Sequence, residues 1–205
     1  MRDATTLAQP HLEVLRQLFS TATAEASAAM CRWTGGLITL TLDDVSEIPL
    51  SAVSQECAFA DELATMVVLN LMGELGGTMI LSFDEVNGRR LAGMLLGREV
   101  HIAGEWTELE SSALCETGNI LSCAYMNALT RLVGAELVPA PPLFVQDFGA
   151  SVLDQALVCQ AESSDKILLC RTGFHCAGGD LDWHVLFVPT PAMRQAIEHS
   201  LGCTA

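Results

Sequence analysis

The sequence has little positive charge. Its 205 residues include 25 Asp and Glu against 10 Lys and Arg, giving a formal net charge of −15 at pH 7. A surface this acidic repels nucleic acid and anionic lipid, and we therefore expect neither as a partner. The charge fits both a binding face for a lysine-bearing protein and simple solubility. Half of the residues are hydrophobic, which is enough for one sizeable core or two fused half-domains.

A long uninterrupted apolar run is also missing. The N-terminal segment MRDATTLAQPHLEVL has no apolar stretch of the kind a signal peptide needs. The most apolar stretch, residues 63–83, is interrupted by Asn70, Glu74 and the pair Gly76-Gly77. It is typical of two strands and a turn, and a membrane span is not expected. These features predict a cytoplasmic protein.

Motifs for metal binding and for common hydrolases are absent. None of the eight cysteines forms a CxxC pair, and the spacing of Cys170, His175, Cys176 and His184 matches no zinc pattern. We expect the cysteines to be small core residues, with no metal bound by this chain. The sequence has no GxSxG and no Walker A glycine loop, which disfavours a conventional hydrolase.

Two long helical patterns are present instead. The first begins at Pro10, a favoured first-turn residue, and stops before Gly35. The second begins with Thr107 and Glu110, which have the spacing of a capping box, and stops at Gly134. Each is about 25 residues long, or roughly 38 Å of helix.

The elements after each long helix follow the same order, which indicates an internal duplication. The predicted order is a strand, a short helix, a hairpin around a Gly-Gly pair and a closing helix. In the first half these lie at about 36–43, 50–58, 65–72 with 78–83, and from Asp84; in the second at about 135–139, 150–160, 166–175 with 182–188, and from Thr190. An offset of 99 to 105 residues superimposes the halves. We therefore predict one α+β domain over residues 1–205, made of two repeats at about 8–100 and 105–205. We expect it to have pseudo-twofold symmetry and a shared sheet.

The second long helix has two distinct faces when drawn at about 100° per residue. The face predicted to pack on the sheet contains Leu114, Gly118, Leu121, Tyr125, Ala128 and Leu132. The opposite face contains Ser112, Glu116, Asn119, Cys123, Asn127 and Thr130. Glu116 and Asn119 are thus outward neighbours. An exposed glutamate alone is ordinary, but asparagine and glycine are poor helix-interior residues, and such local conflicts often mark function.

The segment SALCETGNILSCAYMNALTRLVG…PAPP resembles the active-site helix of the CheC/CheX/FliY family of chemotaxis phosphatases. Ser112, Glu116, Asn119 and Pro142 occupy the positions of that family's motif with its spacing intact. The duplication, helix order and length also resemble a CheC-type chain of two halves. The resemblance implies a shared, mainly antiparallel sheet with the two long helices on one face.

The resemblance further implies hydrolysis of the aspartyl phosphate on a phosphorylated CheY-like response regulator. Glu116 would anchor the helix to the regulator's active-site lysine by a charge-assisted bond. Asn119 would insert an amide that orients the attacking water. Mg²⁺ is expected on the regulator and no cofactor on this chain. Ser112 and Pro142 need no chemical role, with Pro142 expected to fix the chain where it leaves a strand.

The equivalent positions of the first helix depart from the motif. Gln17 stands where glutamate is expected, Ser20 where asparagine is expected, and Asp43 at the position of the proline. Gln17 cannot form an ionic anchor, and serine is too short to hold a water at the reach of asparagine. We predict that this degenerate first site is inactive, while its face stays available as a docking surface.

Two other readings remain open. The chain could be a non-catalytic CheC-like adaptor that binds a response regulator or the receptor deamidase CheD. It could also be a component of the flagellar switch, although no appended switch domain is visible in the sequence. An intact Glu116 and Asn119 favour the enzyme.

Overall fold

A computed structural model describes residues 9–52, 63–99, 104–148, 151, 166–176, 179 and 181–203. The helices in these ranges are α1 (Gln9–Trp33), α2 (Glu85–Leu96), α3 (Glu108–Val133) and α4 (Pro191–Cys203). The strands are β1 (Ile38–Pro49), β2 (Leu63–Met72), β3 (Gly77–Phe83), β4 (Val138–Pro139), β5 (Leu143–Phe148), β6 (Lys166–Cys176) and β7 (Leu181–Pro189). A 3₁₀ turn, Leu50–Ala52, follows β1.

The strands form one antiparallel sheet in the order β1-β6-β7-β3-β2, with β4 and β5 both pairing with the free side of β2. Strand β1 precedes β2 and β3 in the chain but pairs with β6, and β4 and β5 precede β6 and β7 but pair with β2. The two parts of the chain therefore exchange their edge strands and share the sheet. This confirms the predicted α+β class and shared antiparallel sheet. The division of the chain into two repeats stays a prediction.

All four helices contribute to one apolar core on the same face of the sheet. This core joins residues of α1 and α3, such as Phe19 and Leu121, to strand residues such as Val67 and Phe187. Helices α2 and α4 add Leu91 and Ile197. Burial of these side chains is the main stabilising contribution to the helix-sheet contact. The opposite sheet face carries a smaller buried cluster that includes Met66, Ile80, Leu169 and Leu186.

The helix limits predicted from capping residues and glycines are confirmed. Helix α3 begins after Thr107 and ends at Gly134, which adopts the left-handed conformation with φ 69°. Helix α1 begins at Gln9, and Gly35 after its end has φ 64°. Asp84 caps α2 by accepting a hydrogen bond from the amide of Asn87. These limits are set locally, because a cap and a left-handed glycine satisfy the free amides and carbonyls of a helix end.

The two edges of the sheet differ from the prediction. Strand β1 continues to Pro49, past the predicted end at about residue 43. Of the strand predicted at 135–139 only β4, Val138–Pro139, is present, and β5 was not predicted. In β1 the register shifts by one residue between Leu42 and Asp44, which leaves Asp43 as a bulge. Between β4 and β5 the partners advance from Leu71 to Val68, so this connection also holds one extra residue. A bulge lets an edge strand continue past residues that pair poorly.

Two predictions fall mostly on residues outside the described ranges. Of the short helix expected at 50–58, only the 3₁₀ turn at its start is described, and of the helix expected at 150–160 only Ser151. Both predicted hairpins are present within about two residues of the expected limits. Among the helices that are described, none has both the length and the apolar character of a membrane span.

Candidate active site

The N-terminal end of α3 is held by a buried arginine. The side chain of Arg89 on α2 is 3% exposed, pairs with Glu110 at 3.2 Å and with Glu85 at 3.3 Å, and lies 3.8 Å from the centre of the Trp106 ring. It also donates to the carbonyl oxygens of two residues in the segment before α3. The first turn of the helix is thereby fixed against α2.

Glu110 completes the predicted capping box at the same place. Its Oε2 accepts a 2.9 Å hydrogen bond from the amide of Thr107, and the Thr107 hydroxyl accepts from the amide of Glu110. Burial by itself would raise the pKa of Glu110, but the hydrogen bonds from Thr107 and the charge of Arg89 outweigh it, and the pKa is lowered. The carboxylate is therefore stabilised in its charged form, which also suits a helix N-terminus.

The inner face of α3 packs closely on the sheet. A Cβ at Gly118 would lie 2.6 Å from Cγ1 of Val67, so only glycine allows the helix to approach β2 so closely. The Tyr125 hydroxyl is 2.8 Å from Oγ1 of Thr23 on α1 and 3.2 Å from Oγ1 of Thr172 on β6. These contacts make the helix a rigid support. They also give Gly118 a packing role, so the poor helix propensity of this residue does not bear on function.

The outer face presents the residues of the motif. Ser112 and Glu116 are exposed and Asn119 is half-buried, in successive turns of one stripe. Within the described ranges Glu116 makes no ion pair. The sequence thus placed these three side chains on the correct face, and the carboxylate of Glu116 is left available to a partner.

Asn119 has a contact that the helical periodicity alone does not reveal. The Cys123 thiol donates a hydrogen bond to Oδ1 of Asn119 at an Sγ–Oδ1 distance of 3.6 Å. Burial raises the pKa of the Cys123 thiol, and the charge of Glu116 raises it further. The three side chains therefore form one continuous polar stripe.

Pro142 lies beside this stripe. Its carbonyl oxygen accepts a long contact of 4.0 Å from the Cys115 thiol, next to Glu116 in the helix. It lies between β4 and β5, in the connection through which the chain leaves β4 and enters β5. The expectation that Pro142 fixes the chain leaving a strand stays a prediction. A proline suits this connection because it has no amide hydrogen to leave unpaired.

The first helix carries different chemistry at the matching positions. Gln17 and Ser20 are exposed on α1, as predicted. The position of Cys115 is taken by Arg16, whose guanidinium is 2.7 Å from Oδ1 of Asp44 and 3.4 Å from Oε2 of Glu13. An arginine that is ion-paired with two carboxylates therefore stands next to Gln17, where α3 has the neutral thiol of Cys115.

The cysteines are less buried than expected. The structure describes the side chains of five of them, all as free thiols, and among these five only Cys170 is buried. Cys115 and Cys123 are half-buried, Cys115 beside the motif stripe and Cys123 within it. No group of three or more metal-ligating side chains comes together among the described residues. The sequence alone does not indicate Arg89 and Trp106, because their contact joins segments that share no motif.

Chemically, the stripe offers one anionic and one neutral polar group on a rigid helix. A carboxylate can bind a cation, and a carboxamide can both donate to and accept from a water molecule without titrating. The arrangement can therefore recognise a cationic surface and orient a water next to it.

Comparison with known proteins identifies relatives over most of the chain. No family model matches the sequence. The protein named CheY-P phosphatase CheC of Bacillus subtilis is 23% identical over 167 residues, which cover 80% of this chain and 79% of the relative. A CheC1 protein of Halobacterium salinarum is 20% identical over 141 residues, covering 69% of this chain and 71% of its own.

The fold is also found in a solved structure. The crystal structure of Thermotoga maritima FliY superimposes with a TM-score of 0.73 at 14% identity and covers 98% of this chain and 100% of FliY. The chain is therefore similar in sequence to proteins named CheC and similar in fold to FliY.

Proposed function

We propose that this protein is a phosphatase that hydrolyses the aspartyl phosphate of a phosphorylated CheY-type response regulator. The observation that carries the proposal is the outward pair of Glu116 and Asn119 on a helix fixed at its start and along its inner face. The names of the curated CheC relatives support the same activity. One site, on α3, performs the reaction.

Glu116 recognises the regulator. Its carboxylate is exposed and makes no ion pair within the described ranges. Binding to the regulator therefore breaks none of the ion pairs in those ranges. A charge-assisted bond to the active-site lysine of the regulator would place α3 over the phosphorylated aspartate. The acidic charge of the chain, −15 in total, favours approach to a local cationic site of this kind.

Asn119 orients the water. The water oxygen attacks phosphorus in line with the bond to the aspartyl oxygen, which breaks to give inorganic phosphate and a free aspartate. Mg²⁺ and a lysine on the regulator would stabilise the phosphoryl oxygens, so the contribution left to this chain is to position the attacking water. A carboxamide held on a rigid helix can hold the attacking water in that position. We propose no metal for this chain itself, and elemental analysis of the purified protein should find no stoichiometric ion.

Ser112 and Pro142 support the site without a chemical step. Pro142 holds the β4–β5 connection against α3 through Cys115. The first-helix positions Gln17 and Ser20 take no part in turnover, because glutamine cannot form an ionic anchor and serine is too short to hold the water.

The test is to follow loss of phosphate from a phosphorylated CheY-type regulator with and without the purified protein. Acceleration that rises with protein concentration is expected. Binding of the phosphorylated regulator with no acceleration would instead identify the non-catalytic adaptor, and a parallel binding measurement with CheD would then be the next experiment. Failure to bind or accelerate would overturn the proposal.

A further inference from the structure

Cys123 and Asn119 lie one helical turn apart on the outer face of α3. The thiol donates to Oδ1 of Asn119 at 3.6 Å, within the distance of a hydrogen bond that involves sulfur. Both side chains are half-buried, so water competes less for this bond than it would on an open surface. The amide oxygen of Asn119 therefore has the Cys123 thiol as a hydrogen-bond donor, and the amide nitrogen takes no part in that hydrogen bond.

The thiol is suited to act as a donor. Burial raises its pKa above the ordinary value of 9.0, and the nearby charge of Glu116 raises it further. Cys123 therefore keeps its proton at neutral pH. A protonated thiol donates to an oxygen but offers an amide N–H only a weak acceptor.

We propose that Cys123 is a positioning residue, which fixes the orientation of the Asn119 carboxamide through this hydrogen bond. The inference rests on the proposed function of Asn119. An amide can turn by about 180° about its last torsion angle with little change in shape, which exchanges oxygen and nitrogen. Only one of the two orientations presents a given water with the correct donor and acceptor. The thiol occupies one lone pair of Oδ1, and leaves the other lone pair and both N–H groups for the water.

The first helix supports this assignment. At an offset of 99 residues, Ser20 corresponds to Asn119 and Ala24 corresponds to Cys123. Ala24 is exposed and has no donor. The thiol thus accompanies the asparagine on α3, and both are missing from the helix that lacks the motif.

The experiment compares Cys123→Ala, which removes the donor, with Cys123→Ser, which retains a donor of similar position. Cys31→Ala is the matched control, because Cys31 is another half-buried cysteine on a long helix and lies outside the site. We expect Cys123→Ala to lower kcat by about twofold to fivefold with KM for the phosphorylated regulator unchanged, because the loss of one modest hydrogen bond redistributes the amide between orientations. Cys123→Ser should restore most of kcat. Cys31→Ala should match the wild type.

A second readout does not depend on activity. Nitrogen-15 relaxation of the Asn119 side-chain amide should show a restricted group in the wild type and in Cys123→Ser, and a more mobile one in Cys123→Ala. Equal amide mobility in all variants would overturn the inference even if the phosphatase activity is confirmed. A change in KM alone, or no rescue by serine, would also overturn it. A restricted amide in a wild-type protein without turnover would overturn the proposed function and leave the hydrogen bond established.

Discussion

Asp43 is the bulged residue of β1, and Pro142, 99 residues further along the chain, lies in the β4–β5 connection, which also holds one extra residue. At the bulge Oδ1 of Asp43 accepts a 3.2 Å hydrogen bond from the Thr41 hydroxyl, which is also 2.8 Å from Nε2 of His175. In the β4–β5 connection, the carbonyl of Pro142 meets Cys115 on α3. The extra residue in β1 thus lies beside a network of polar side chains, and the one in the β4–β5 connection lies beside the helix that carries the motif. The two edges share a backbone feature and differ in the side chains around it.

Asn119→Ala should abolish acceleration of regulator dephosphorylation and leave the fold intact. Its side chain is on the outer face, so we expect the free energy of unfolding to change by about 0.5 kcal/mol or less. Asn127→Ala, an exposed asparagine further along the same stripe, is the control and should retain full activity. Phosphate release and thermal melting measure the two effects. Wild-type turnover in Asn119→Ala would exclude this residue from the mechanism.

Glu116→Ala should weaken the complex with the phosphorylated regulator, and Glu116→Lys should weaken it more, because a lysine would face a lysine of the partner. We expect losses of about tenfold or more for the charge reversal, typical of a charge-assisted contact. Glu136→Lys makes the same change of charge at another exposed position and controls for net charge. Titration calorimetry would measure the affinity of each variant for the phosphorylated regulator. Equal affinity of the two reversed variants would refute the anchor role.

Gln17→Ala combined with Ser20→Ala should leave turnover unchanged, because neither side chain anchors a cation or holds a water. The informative comparison is with Asn119→Ala in the same assay. Loss of activity in the first-helix variant alone would mean that the site lies on α1. Loss in both would indicate a composite site or a docking role for the first helix.

Glu110→Gln should make unfolding less sensitive to acid. The pKa of Glu110 is lowered in the folded state, so its stabilisation is fully present above the unfolded value of about 4.3 and is lost as the pH falls through the folded pKa. At neutral pH the variant should be less stable by about 1–3 kcal/mol, since it leaves the buried Arg89 with one carboxylate partner. Chemical denaturation between neutral and acidic pH measures this. Glu108→Gln, in the same first turn of α3, is the control, and an identical pH profile for the two variants would contradict the assignment.

Gly118→Ala should destabilise the protein by about 1–3 kcal/mol, because the new methyl group would lie 2.6 Å from the stiff side chain of Val67. The helix would have to move, and Asn119 would move with it, so turnover should fall as well. Gly202→Ala adds the same methyl group to a helix where nothing lies within 4 Å. That control should be neutral or slightly stabilising. Unchanged melting of Gly118→Ala would show that α3 is less closely packed on β2.

The sequence by itself determined the elements whose signals are local. The Thr107 and Glu110 cap, the left-handed Gly134, the hairpins and the outward direction of Glu116 and Asn119 follow from capping, glycine conformation and helical period. Each depends on residues that are neighbours along the chain. These signals can be recognised without knowledge of the fold.

The tertiary structure alone decided the features that join distant segments. The length of the edge strands depended on partners in β2 and β6, which supply hydrogen bonds past Asp43 and Pro142 that the local sequence does not favour. The burial of Arg89 against α3 and the close approach of Gly118 to Val67 are contacts between elements far apart in the chain. Such pairings are set by which surfaces the shared core brings together, and a periodic pattern in one segment carries no information about its partner.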